Sequence, residues 1–202
     1  MRWLACFILS LSIASTAGMA KAEPRLALVI ANGAYEDGLP PLANPVNDGK
    51  LVAATLKKLG FAVTLVENVD QKGMKRAISQ FGDALGAAGP TTSALFYYAG
   101  HGLQVDGQNY LVPIHAAIAK EADVDLEAVS ADTVLKQMEY AAPSTSIVIL
   151  DACRNNPLAR GMRDGTRGLA RMDAPNGSYV AYSTAPGQTA AEVYREPSGW
   201  SN

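Results

Sequence analysis

The chain has 202 residues, 49% hydrophobic and 18% charged, the size of one domain or slightly more and the composition of a folded globular protein, not a disordered one. A formal charge of −2, with no stripe of Lys and Arg, leaves no electrostatic footprint for a nucleic-acid partner. With two cysteines, Cys6 and Cys153, the chain is not a disulfide-built scaffold.

Met1-Arg2 makes a short basic start, Trp3 to Ala14 is an apolar run, and Ala20-Lys21-Ala22 fits a small-x-small cleavage site. The pattern predicts a secretory signal peptide over residues 1–22 and an exported protein, periplasmic or extracellular. The apolar run is too short to span a bilayer, so no stable membrane insertion is expected once it is removed. Removal leaves 180 residues, with 15 basic against 19 acidic side chains. Cys6 leaves with that segment. A lone thiol in an exported chain calls for pairing with another chain or for reactivity.

Arg25 to Ala31 is an unbroken apolar run and predicts the first strand, ended by Asn32-Gly33. After a Gly-, Pro- and Asn-rich loop, Asn44 and Pro45 suit the cap and first position of a helix that Gly60 ends. Leu51, Ala54, Thr55, Leu56 and Leu59 fall at helical spacing along it. Phe61–Val66 predicts a strand. Gln71 to Ala88 predicts a helix with Met74, Ala77, Ile78, Phe81 and Leu85 on one face. Ser93–Ala99 predicts a strand that runs into Gly100-His101-Gly102, and Asp106-Gly107 marks a hairpin between Leu103–Val105 and Asn109–Val112. A short helix from Ser130 to about Tyr140 precedes a strand at Ser146–Cys153. Residues 157–177 read as an exposed linker rich in Arg, Gly and Asp, and Ser178–Ser183 as a further strand. Strands alternating with helices predict a three-layer α/β/α sandwich with a mainly parallel sheet.

Open α/β sheets place their chemistry in the loops at the carboxyl ends of parallel strands. Cys153 closes such a strand and His101 follows another, held between two glycines where backbone can approach a substrate. A thiol attacks as its thiolate and needs a base nearby, so His101 and Cys153 are the expected base and nucleophile. The backbone amides of Gly102 and Cys153 are the expected donors of an oxyanion hole. The other histidine, His115, lies beyond the hairpin with nothing chemical around it and is expected to be a surface residue.

Tyr97-Tyr98-Ala99-Gly100-His101-Gly102 together with Asp151-Ala152-Cys153-Arg154 resembles the caspase-like cysteine peptidases, and among them bacterial metacaspase-type members. The interval of 52 residues between His101 and Cys153 agrees. Leu42-Ala43-Asn44-Pro45-Val46-Asn47-Asp48, Gly107-Gln108-Asn109-Tyr110-Leu111-Val112-Pro113 and Tyr182-Ser183-Thr184-Ala185-Pro186-Gly187 extend the likeness across about Arg25 to Trp200. It implies a catalytic domain over 23–202, with a large-subunit region to about 156, the linker, and a small-subunit region from 178 that stops short of the family's last helix and strand. It also implies a Cys-His dyad acting on polypeptides. Calcium activation is left open, although no oxygen-ligand loop stands out, and no metal site or other cofactor is expected. Oligomeric state is not legible.

Caspases that cut after aspartate hold the substrate acid with two arginines and a glutamine. Carried onto this chain, the glutamine position is Asp151, one arginine position is Glu192, and the other falls near Leu42. In metacaspases, residues matching Asp48 and Asp151 line the pocket for the residue before the cut, and the same resemblance adds Ala99 and Ser183 to the substrate-binding set. Two carboxylates there favour Arg or Lys and repel an acid. Asp48 also suits the positive end of its helix dipole. Given a pocket for a basic residue, Arg160, Arg163, Arg167 and Arg171 are candidate self-cleavage positions; the other reading of this stretch is a solvated loop. The reading from another class is a non-catalytic caspase-like module that binds peptides or proteins, which the early C-terminus favours.

Overall fold

The computed structural model describes residues 22–36, 38–153, 169–173 and 177–183, with Cys153 described through its backbone. Residues 1–21 of the expected signal peptide, Arg160, Arg163, Arg167 and Glu192 lie outside the described residues. Five parallel strands form the central sheet in the order β2 (Ala62–Glu67), β1 (Arg25–Ala31), β3 (Ser93–Val105), β6 (Thr145–Cys153) and β7 (Ser178–Tyr182). An antiparallel extension adds β4 (Gln108–Leu111) and β5 (Val129–Ser130) through β3. Helix α1 (Pro45–Lys58) covers one face; α2 (Gln71–Ala88) and α4 (Ala131–Ala141) cover the other. A short helix α3 (Val124–Glu127) precedes β5. The layers match the expected sandwich.

Strand alternation assigns the core. Leu28, Ile30, Phe96, Tyr98, Val148 and Leu150 point toward α2 and α4, whereas Ala27, Val29, Leu95, Tyr97 and Ala99 point toward α1. The α2 face is as the sequence predicts: Met74, Ala77, Ile78, Phe81 and Leu85 are all buried. Its N-terminus is capped by Asp70, whose carboxylate accepts from the Gly73 N–H at 2.7 Å. In α4 the Ser130 hydroxyl oxygen accepts from the Asp132 N–H at 3.3 Å.

Helix α1 corrects the expectation from periodicity. Leu51 and Leu59 are 68% and 55% exposed, and the buried positions are Pro45, Gly49, Ala53 and Leu56. A Cβ on Gly49 would stand 2.6 Å from the Ala31 Cβ, so the helix backbone lies directly on β1. Gly49 and Ala53, together with Leu56, set this contact, and Leu51 and Leu59 do not.

The second difference is in β3, which does not stop at Ala99. It pairs in parallel with β6 through His101, then changes partner and pairs antiparallel with β4 from Gly102 to Val105. Asp106 and Gly107 turn the hairpin with φ of 48° and 78°, the paired positive values of a tight two-residue turn. The third concerns the stretch expected to be an exposed linker. Leu169 is 2% exposed within the core, and the Asn109 amide bonds both backbone groups of Ala170, each at 2.7 Å. The Met172 N–H donates to the Tyr182 hydroxyl at 2.8 Å, so Leu169–Asp173 is tied to the fold.

Candidate active site

His101 is the last residue of the parallel part of β3, at the point where the strand leaves one pairing for the other. It is 3% exposed. Its ring lies tilted against Tyr35, with centroids 4.4 Å apart. Nε2 sits 2.8 Å from the Pro40 carbonyl oxygen. A carbonyl can only accept, so the neutral ring carries its proton on Nε2, and Nδ1 is the basic nitrogen. A main-chain carbonyl from the β1–α1 loop therefore selects the tautomer and orients the ring.

The backbone of His101 is held as firmly as its ring. Its N–H donates to the Tyr35 hydroxyl at 2.9 Å, and Tyr35 in turn donates to the Val112 carbonyl at 3.0 Å. The Tyr98 hydroxyl lies 2.7 Å from the His101 carbonyl and 2.9 Å from that of Val112. A Cβ on Gly100 would stand 2.5 Å from the Tyr35 hydroxyl and 2.6 Å from that of Tyr98, so no side chain fits there. Buried, satisfied polar groups of this kind lock one geometry. The loop that supplies Tyr35 and Pro40 is itself pinned. Asn32, fully buried, bonds Val69 and Val112, and the Asn68 side chain accepts from the N–H groups of Gly33 and Ala34.

Cys153 is the register partner of His101 on β6. Residues 52 apart along the chain thus occupy paired positions at the carboxyl edge of one sheet, where neighbouring strands run about 4.8 Å apart. Gly102, the expected oxyanion donor, is buried beside Ala152. A Cβ there would stand 2.9 Å from that of Ala152 and 3.1 Å from a Leu169 methyl carbon, so packing alone demands glycine at this position.

The carboxyl edge also gathers the predicted specificity residues. Asp151 lies opposite Ala99 in the β3–β6 register, and Ser183 follows β7, its N–H donating to the Leu150 carbonyl at 3.2 Å. Ala99 is 2% exposed. Asp48, in the first turn of α1, is brought to this edge by the Gly49–Ala31 contact. Its carboxyl is held above the ordinary range, first by burial and then by the charge of Asp151. The two acids therefore lie within one another's electrostatic field at this edge. Glu192, expected here too, lies outside the described residues.

Three participants escaped the sequence reading. Tyr97 donates from its hydroxyl to Asp151 Oδ2 at 2.8 Å; its alternation with Ala99 and His101 along one strand was the available signal. Tyr35 and the Pro40 carbonyl had none, because a loop's path across a histidine is not written in local pattern. His115 stands at the surface with its Nδ1 4.0 Å from a Glu36 oxygen, as expected of it. Among the described residues no group of three or more His, Cys, Asp and Glu side chains is placed to hold a metal, and no helix is long and apolar enough to cross a membrane.

Comparison with known proteins agrees with this architecture. Residues 24–201 match the family model for the caspase domain, Peptidase_C14. The chain is 27% identical over 133 residues to the human mucosa-associated lymphoid tissue lymphoma translocation protein 1, and 27% identical over 137 residues to its mouse homologue. These stretches cover 66% and 68% of this chain but only 15% and 16% of those proteins. Among solved structures it is similar to protein GSU0716 from Geobacter sulfurreducens, with a TM-score of 0.50 and 17% identity, covering 65% of this chain and 51% of that one. With its family model matched along nearly all of the described domain, and with a mainly parallel sheet between helical layers, the chain belongs to the caspase-domain peptidase family, whose substrates are polypeptides.

Proposed function

We propose that the protein is a cysteine endopeptidase that cleaves polypeptides after Arg or Lys. The observation that carries this reading is the pairing of His101 with Cys153 at the carboxyl edge of β3 and β6. Cys153, as thiolate, attacks the scissile carbonyl carbon while His101 takes the thiol proton on Nδ1. The oxyanion is held by the amides of Gly102 and Cys153. Collapse breaks the C–N bond, and His101 returns the proton to the leaving amine. Water, deprotonated by the same imidazole, then hydrolyses the thioester and restores the thiol.

The recess between Asp48 and Asp151 binds the side chain before the cut. Ala99 and Ser183 stand beside it on the same edge, and the family resemblance adds Glu192, which lies outside the described residues, to the set. Two carboxylates within one another's field bind a cation more favourably than either alone, and disfavour an anion by the same amount of charge. Self-processing after Arg160, Arg163 or Arg167 follows from this preference. Arg171 is a poor site, because its neighbours Ala170 and Met172 already commit their backbone groups to Asn109 and Tyr182.

Fluorogenic peptides ending in Arg, Lys and Asp, assayed with the wild type and with Cys153→Ala, test the proposal. Turnover of the basic peptides alone, abolished by Cys153→Ala, is the expected result. No turnover of any peptide by the folded chain would replace the peptidase with a peptide-binding module, and preferential turnover of Asp peptides would overturn the recess. Calcium activation is tested by the same assay with and without a chelator.

A further inference from the structure

Tyr97 is 4% exposed and lies on the α1 side of β3, against Asp151. Its hydroxyl donates to Oδ2 of Asp151 at 2.8 Å. Burial, and next the neighbouring charge of Asp151, push its ionisation far above the ordinary tyrosine value, so it stays a donor at any working pH. It feels the charge of Asp48 as well, which sets both carboxylates close to one phenol.

We infer that Tyr97 is a positioning residue that makes the recess select Arg over Lys. The inference rests on the proposed peptidase reading. With Oδ2 engaged, the Asp151 carboxylate is held in one orientation and keeps Oδ1 for the ligand. The phenol takes one acceptor site of Oδ2 and leaves the carboxylate's remaining lone pairs fixed in direction. A guanidinium can bridge Asp151 Oδ1 and the Asp48 carboxyl, because its donors fork in a plane and reach both. The compact Lys ammonium sits on a flexible stem and gains less from two acceptors fixed in direction. The fixed phenol, not the count of acids, then sets the preference.

The test is Tyr97→Phe, which keeps the buried ring and removes the hydroxyl, with Tyr179→Phe on the exposed face of β7 as the control. For Arg peptides KM should rise about tenfold while kcat stays within about twofold, the loss of one hydrogen bond to a charged group. For Lys peptides KM should move less than about threefold, so the Arg-to-Lys ratio falls. Protection by benzamidine in thermal unfolding, which needs no turnover, should weaken in Tyr97→Phe and stay unchanged in Tyr179→Phe. Unchanged KM and unchanged benzamidine protection in Tyr97→Phe would overturn the inference while active wild-type protein keeps the peptidase reading. A proportional loss of kcat for both peptides with a lowered Tm would overturn it too, by assigning Tyr97 a structural role only. An inactive wild type whose benzamidine protection depends on Tyr97 would end the peptidase reading and keep the recess geometry.

Discussion

The two faces of the parallel sheet are built differently. Toward α2 and α4 the sheet presents Leu28, Ile30, Phe96, Tyr98 and Leu150, met by Met74, Ile78, Phe81, Leu85 and Met138, a continuous large-residue core. Toward α1 it presents Ala27, Val29, Leu95 and Ala99 with Tyr97, met by Gly49, Ala53 and Leu56, a face richer in small residues. Large residues bury the most apolar area and carry stability. Small ones bury less but let a helix backbone approach the sheet, and this close approach brings Asp48 to the edge that Asp151 occupies. One face holds the fold together; the other trades burial for the position of a charge.

That contrast can be broken by substitution. The largest effect is expected at the edge itself: Cys153→Ala should remove peptide turnover by at least about a thousandfold, and His101→Ala by roughly 10²- to 10⁴-fold, with circular dichroism unchanged. On the large-residue face, Leu85→Ala should cost about 2–5 kcal/mol in denaturant unfolding and leave KM for Arg peptides as it was. Asp151→Asn should do the reverse, raising KM for Arg peptides about 10- to 100-fold with little change in stability. Gly49→Ala should do both. Its new methyl would collide with Ala31, costing about 1–3 kcal/mol and raising KM by moving Asp48. Loss of stability at Gly49→Ala with unaltered KM would show that α1 does not position the recess.

Asp48 sharpens the comparison through pH. Its carboxyl is raised in the folded chain, so between the ordinary carboxylate range and that raised value the folded state binds more protons than the unfolded. Its contribution to stability is therefore greatest at low pH and falls as pH rises through the raised value, where the charged form must be held half-buried near Asp151. Asp48→Asn should raise Tm by a few degrees at neutral pH, with the gain vanishing in acid. Affinity for Arg peptides runs the other way: KM should rise as pH drops through that same value. The smallest effect belongs to exposed α1 positions, where Leu51→Gln should stay within about 0.5 kcal/mol.

The layer order, the strands and the α2 face were legible along the chain because each rests on a local period: unbroken apolar runs for strands buried on both sides, and a 3.6-residue stripe for an amphipathic helix. The stripe failed at α1. Leu51, Leu56 and Leu59 satisfy helical spacing, yet the helix turns Gly49 and Ala53 to the sheet, because close backbone contact outweighs the burial of two leucines. No local period reports on that choice.

Sequence alone determined that a thiol and an imidazole stand at strand ends and that the family is the caspase domain, and it raised the expectation of acids at the glutamine position and at one arginine position of the specificity set. These follow from residue types and intervals, which a linear chain displays in full. Tertiary structure alone decided that β3 changes partner at His101, that the Pro40 carbonyl selects the tautomer of its ring, and that Tyr97 sits against Asp151. The two hydrogen bonds join groups 61 and 54 positions apart, and the first ends on a backbone atom with no residue signature. Such meetings are made by how layers pack, and the order of residues carries no local trace of them.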